Sequence, residues 1–167
     1  MTNTLRPEAL IATARRLAES QGQGRPLQTD LRRAVSTAYY GLFHTLAREC
    51  ADAVVGKANR LKIRKAWAQV YRSLDHGRVR NVCAGQNTRI KQAYRRFPAS
   101  IRVFGDTFVA MQAKRHQCDY DPLMPLLLIS GVVGDIDTAE KAISDFMSAA
   151  PLDRRAFCAF VLHDLRA

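Results

Sequence analysis

Apolar residues recur along this chain at intervals of three and four, the spacing of a helix with one face turned to a core. Leu5, Ala9, Leu10, Ala14, Leu17 and Ala18 keep that rhythm over residues 5–20 and predict a first amphipathic helix, with a Gly-containing polar turn over residues 21–26. Thr29 or Asp30 offers a cap for a second helix running to about residue 54. Its stripe is Leu31, Ala34, Val35, Ala38, Leu42, Leu46 and Cys50. Tyr39, Tyr40, Phe43 and His44 widen that stripe until much of the girth is apolar, which predicts a central helix. A third helix is expected from a cap at Asn59 to about residue 76, with Ile63, Ala66, Trp67, Val70 and Leu74 inside and Gly77 as its stop. Residues 77–88 show little pattern and read as a loop, or as a short helix continuing to residue 96. Pro98 opens a fourth helix, with Ile101, Phe104, Phe108 and Met111 at core spacing. Asp121 and Pro122 read as the cap and first position of a fifth, over residues 124–149. Its expected buried side is Leu126, Leu127, Ile129, Val133, Ile136, Ile143 and Phe146. Residues 153–166 predict a short last helix with Phe157, Phe160, Val161 and Leu165 on one side. There is no strand pattern and no repeat. The expectation is an all-α protein, a bundle of about five to six helices forming a single domain over residues 1–167.

Charge changes this picture more than composition does. The net charge is +11, but it is not spread evenly. Residues 57–102 hold thirteen Lys or Arg and one acid, Asp75, whereas the rest of the chain holds thirteen basic and fourteen acidic residues. A basic block of this kind points to a polyanion, with RNA the expected partner. Arg60, Arg64, Arg72, Arg78, Arg80, Arg95 and Arg96 are the candidate phosphate contacts. Trp67, Tyr71, Tyr94 and Phe97 are interleaved with them and are available either to stack on unpaired bases or to serve as core. No apolar run reaches membrane-spanning length and no signal-like segment opens the chain, so a cytoplasmic protein with no membrane partner is expected. Four widely separated cysteines without a C-x-x-C pair suit a reducing compartment.

The stretch densest in reactive groups is residues 115–122, Arg-His-Gln-Cys-Asp-Tyr-Asp-Pro. The periodicity puts Arg115 and His116 in the last turn of the fourth helix and Asp119, Tyr120 and Asp121 in the loop after it. Two readings fit. Arg115 and His116 are cations opposing a helix dipole, with an acid neutralising Arg115, or they are part of an active site. A second constellation, Arg72 and His76, has the four-residue spacing of one helical face. His44 reads as a core histidine and His163 as a surface one. No ligand-pair spacing supports a metal, and no cofactor is expected.

Residues 31–44, Leu-Arg-Arg-Ala-Val-Ser-Thr-Ala-Tyr-Tyr-Gly-Leu-Phe-His, resemble the second helix of HEPN-domain proteins, where Ser-x-Ala-Tyr-Tyr-Ala-x-Phe-His recurs in prokaryotic members. Residues 115–122 resemble the Arg-x-x-x-Asp-Tyr-Asp-Pro segment that follows the fourth helix in a subgroup of the same superfamily. The resemblance implies a helical bundle, usually homodimeric and associated with RNA, often within toxin–antitoxin or defence systems and with a cognate partner protein. Many members are metal-independent endoribonucleases in which an Arg grips the scissile phosphate and a His, four to six residues on, acts on the ribose 2′-hydroxyl. Here Arg115 stands at the family Arg, His116 where Asn is frequent, and Tyr120 where the His is expected. A phenol is a poor base near neutrality.

Two functions follow as expectations. One is an RNA- or partner-binding regulatory module that uses residues 57–102. The other is a metal-independent endoribonuclease, with Arg115 on the phosphate, Tyr120 at the family's His position, His76, His116 or Asp119 as the base, and Arg72 clustered with His76.

Overall fold

The computed structural model describes residues 6–19, 24–57 and 63–163. These residues form eight helices and no strand: α1 (Pro7–Ala18), α2 (Gln28–Val55), α3 (Arg64–Ser73), α4 (His76–Cys83), α5 (Thr88–Tyr94), α6 (Ala99–Tyr120), α7 (Ile129–Ser148) and α8 (Pro151–Leu162). The protein is an all-α helical bundle, as the periodicity predicts. No helix among the described residues is long and apolar enough to cross a membrane. The chain divides into two compact units. Unit 1 comprises Met1–His44 and Thr107–Ile143, and unit 2 comprises Thr45–Asp106 and Ser144–Ala167.

Unit 1 is built on the first half of α2. Leu31, Ala34, Val35, Ala38, Tyr39 and Leu42 are almost wholly buried, which is the predicted stripe with Tyr39 added. α1 turns Ile11, Ala14 and Ala18 inward, with Ile11 in the core where Ala9 and Leu10 are expected. Pro7 starts α1 at a position where a missing N–H costs nothing, and Arg15 and Arg16 lie in its last turn, where cations oppose the dipole. Arg15 also bridges to Asp137, at 2.8 Å, and to Glu140 of α7. Phe108 and Met111 of α6, with Val132, Ile136, Ala139 and Ala142 of α7, complete the buried set.

Unit 2 has an aromatic core. Phe104 stacks on Phe146 with ring centroids 4.3 Å apart, and Phe157 meets Phe146 at 6.1 Å and Phe97 at 5.5 Å edge-on. Arg154 of α8 ties down the end of α7. Its Nη1 donates to the Met147 and Ala149 carbonyls, at 2.6 Å each, while Nε bonds Glu49 Oε2 at 3.0 Å. All four cysteines are buried and free of disulfides.

Three expected boundaries move. The third helix ends at Ser73 because Leu74 leaves helical geometry to bury its side chain and Asp75 begins a new helix. Asp75 Oδ1 accepts the Arg78 N–H at 2.8 Å, so Gly77 sits inside the first turn of α4 and stops nothing. The low-pattern stretch holds α4 and α5, the latter capped by Asn87 Oδ1 on the Ile90 N–H at 2.9 Å. Gly85 joins them at a φ of +68°, a conformation suited to glycine. Finally, Asp121 and Pro122 do not open a helix. α6 continues to Tyr120, Asp121 Oδ1 takes the Leu123 N–H at 2.8 Å in a turn, and α7 begins only at Ile129. Pro122 and Pro125 hold the intervening residues out of helix. Leu126 and Ile129, expected inside, are therefore exposed, at 80% and 38%. The expected cap at Asn59 lies outside the described residues, as do Leu5 and Leu165.

Gly105 tests the tightness of unit 2. A Cβ there would lie 2.8 Å from Cys83 Sγ and closer still to the Tyr94 hydroxyl. That hydroxyl is held in place, donating to the Arg102 carbonyl at 2.8 Å with Asp106 Oδ1 at 3.1 Å. Overpacking of this kind costs about 1–3 kcal/mol and outweighs the helix-propensity gain of about 1 kcal/mol. Gly105→Ala is expected to lower the thermal midpoint. A rise would show that Tyr94 yields.

Candidate functional site

Four polar side chains follow one another at four-residue intervals along α2: Gln28, Arg32, Ser36 and Tyr40. Each bonds the end of α6 or the residues after it. Gln28 Nε2 donates to the Leu127 carbonyl at 3.0 Å, while its Oε1 accepts the Leu127 N–H at 2.8 Å. Arg32 donates from Nη1 to the Asp121 carbonyl at 3.0 Å and from Nη2 to the Met124 carbonyl at 3.2 Å. The Ser36 hydroxyl donates to Asp119 Oδ1 at 2.6 Å. Tyr40 Oη accepts from Arg115 Nη2 at 3.2 Å. The partners run backwards as the α2 positions run forwards, so here α2 and α6 are antiparallel. Residues 31–44 and 115–122, far apart in sequence, meet along this line.

Arg115 is enclosed. Its Nε lies 3.1 Å from Asp119 Oδ2, an ion pair one helical turn apart in which the N–H is not aligned for a hydrogen bond. Its Cζ sits 5.8, 5.7 and 5.6 Å from the ring centres of Tyr39, Tyr40 and Tyr120. The hydrogen bond to Tyr40 raises the guanidinium pKa above its ordinary value, and burial opposes this in part. The charge of Asp119 raises it further. Arg115 is thus a permanent cation already matched by a carboxylate. A phosphate would have to displace Asp119, which is itself held by Ser36.

The imidazoles are placed differently from what an acid–base site needs. His116 is exposed and its ring lies 5.0 Å from that of Tyr120, which is 64% exposed. His44 continues the α2 line beyond Tyr40, stacked on it at 6.0 Å, and burial lowers its pKa, favouring the neutral imidazole. Arg72 and His76 belong to unit 2 and to different helices, α3 and α4, so their spacing does not put them on one face. Asp119 and Tyr120 lie in the last turn of α6, not in a loop. A cavity of about 350 Å³ beside Asp119 and Tyr120 is lined also by Thr29, Arg32, Arg33 and Cys118. Among the described residues no cluster of His, Cys, Asp and Glu is arranged to hold a metal.

The basic stretch lies within unit 2, which carries seventeen basic and seven acidic residues against nine and eight in unit 1. Arg64, Arg72, Arg80, Arg95 and Arg96 are exposed and Arg78 is half-buried, while Arg60 lies outside the described residues. Of the interleaved aromatics, Trp67 and Tyr94 are buried and Tyr71 and Phe97 are half-buried. Trp67 is buried and donates from Nε1 to Asp52 Oδ1 at 2.8 Å, with Tyr71 against its face at 5.1 Å. Tyr94 is buried at Gly105, and Phe97 packs on Phe157 and Phe160. Trp67 and Tyr94 are therefore core residues, and Tyr71 and Phe97 each have a ring packed against a neighbour. What unit 2 presents is guanidinium and ammonium groups.

Sequence reading missed the polar line on α2. Its signal was present, since positions 28, 32, 36 and 40 are all polar or phenolic at one helical interval, but the apolar stripe on the other side dominated the pattern. Comparison with family models, curated proteins and solved structures finds no match to this chain.

Asp119 is the residue on which the line converges. Asp119→Ala removes the acceptor of Ser36 and the carboxylate beside Arg115, and is expected to lower unfolding free energy by about 1–3 kcal/mol in urea titration. Asp121→Ala, which loses one bond at an exposed turn, is expected to cost about 1 kcal/mol or less. Equal effects would show that the Arg115 environment contributes nothing special.

Proposed function

We propose that this protein is a HEPN-type RNA-binding module, a regulatory component of a toxin–antitoxin or defence system. The observation that carries the RNA reading is the exposure of the basic side chains within one compact unit of large positive charge. The meeting of Ser36 with Asp119 and of Tyr40 with Arg115 supports the family resemblance, because the two stretches that carry it are the two that bond to each other. With Trp67 and Tyr94 buried and Tyr71 and Phe97 half-buried, the exposed groups of the basic stretch are chiefly cations suited to phosphates. The endoribonuclease reading is weaker. Arg115 is closed in by three tyrosines and a carboxylate, and His116 lies exposed against Tyr120.

Binding of a labelled RNA hairpin is expected to weaken steeply as salt rises. Reversing Arg64, Arg95 and Arg96 to Glu should reduce the slope of log K against log salt by about 0.7–0.9 for each phosphate that the variant no longer neutralises. The hairpin should be recovered intact. A triple variant that binds like the parent would make the block a solvated face, and cleavage that survives EDTA would restore the enzyme reading.

The second part of the proposal is self-association. The wide apolar girth of α2 is covered within the chain and no longer argues for a partner. The exposed leucines do: Leu123, Leu126 and Leu128 are 88, 80 and 74% exposed. They lie in and beside a segment that Gln28 and Arg32 hold by its backbone, so they form a fixed apolar ridge rather than a loose one. A homodimer through this ridge should appear in light scattering at micromolar concentration, and Leu123→Asp with Leu126→Asp should yield a monomer. A parent chain that is monomeric under those conditions would remove this part of the reading.

A further inference from the structure

Unit 2 contains a cavity of about 320 Å³ between the first turns of α4, the loop before α5, and α8. Its size is at the lower end for small-molecule clefts, enough for one nucleoside and not for a dinucleotide. Phe160 and Ile90 supply apolar walls, and Phe160 is braced by Phe97 at 5.4 Å. Asn81 and Gln86 bring two carboxamides, the Asn81 Oδ1 already accepting from Arg80 Nη2 at 3.4 Å. Arg78 and Asp75 stand at the α4 end, where Asp75 Oδ1 already accepts the Arg78 N–H.

We propose that this cavity receives a single unpaired guanine of a bound RNA, an inference that rests on the RNA-binding reading and names what that binding would select. A ring beside paired carboxamides is the set of groups that holds a base by its face and its hydrogen-bonding edge. The Asp75 carboxylate makes the cavity a poor site for phosphate itself. The same carboxylate has lone pairs beyond the one used in capping, and guanine offers adjacent imino and amino N–H donors to it. Arg78 at the wall, with exposed Arg80 on the same helix, supplies cations for the phosphates flanking the inserted base. Trp67 and Tyr94 of the basic stretch are buried, whereas the cavity offers a half-buried ring, Phe160, from α8. A bulged nucleotide enters at least cost, because it has no pair to lose.

The test uses the full chain. In NMR titration with GMP, AMP and UMP, the side-chain NH₂ signals of Asn81 and Gln86 should move with GMP and much less with UMP. In anisotropy measurements a hairpin with one bulged guanosine should bind about tenfold more tightly than the same hairpin without it. Asn81→Ala with Gln86→Ala should abolish that preference and leave binding of the unbulged hairpin unchanged. If the double variant misfolds by circular dichroism, Gln86→Ala alone, at an exposed loop position, carries the same comparison. Amide signals unmoved by GMP, or equal affinity of the parent for both hairpins, overturns the proposal while leaving phosphate-driven RNA binding standing. If neither hairpin binds, the RNA reading falls, and the GMP titration still decides the cavity.

Discussion

The constraint that organises unit 1 is the need to satisfy backbone groups outside a helix. Between Tyr120 and Ile129 the chain is not helical, and two prolines keep it so. Its carbonyls and N–H groups need partners, since unpaired polar backbone is costly where water is excluded. α2 provides them from side chains. Gln28 takes both polar groups of Leu127, and Arg32 takes two carbonyls with one guanidinium. One turn further on, the same face changes from backbone partners to side-chain partners, Ser36 with Asp119 and Tyr40 with Arg115. A single line of α2 thus fixes both where α6 ends and how its last turn is charged.

That arrangement explains what was legible in the sequence and what was not. The stripe from Leu31 to Cys50 was readable because burial of apolar groups follows helical periodicity directly, and every one of its seven members is buried. The break at Leu74 was not, because Asp75-His76-Gly77 carries both a stop and a start, and only the direction of the Asp75 side chain decides between them. The helix expected from residue 124 failed for a related reason. A run of leucines has the hydrophobicity of a buried helix, but Pro125 and the clamps from Gln28 and Arg32 hold it out of helix, with Leu126 and Leu128 exposed. Of the site, Arg115 and Asp119 were legible as a charged cluster. Their mutual neutralisation depends on Asp119 lying inside the helix, four residues from Arg115, and not in the loop that periodicity suggested.

The two units divide the chemistry as well as the chain. Charges in unit 1 are near balance, and Arg15, Lys114 and Arg115 each face an acid. Unit 2 is left strongly positive, with an interior of packed phenylalanines and one half-buried ion pair, Arg154 with Glu49. A scaffold held together by packing can carry a surface of like charge, because the repulsion is relieved by solvent and by any anion that binds.

The clamp of Gln28 on Leu127 also makes spacing, rather than identity, the conserved quantity to seek in the segment from Asp121 to Leu127. Its bonds to α2 are to main chain, so those bonds do not depend on which side chains the segment carries. Its length is not free. Deleting or inserting one residue would displace Leu127 by up to one Cα step, about 3.8 Å, enough to break its bonds to Gln28. Related chains that keep Gln28 and Arg32 should therefore differ in the letters of this segment while agreeing in their number.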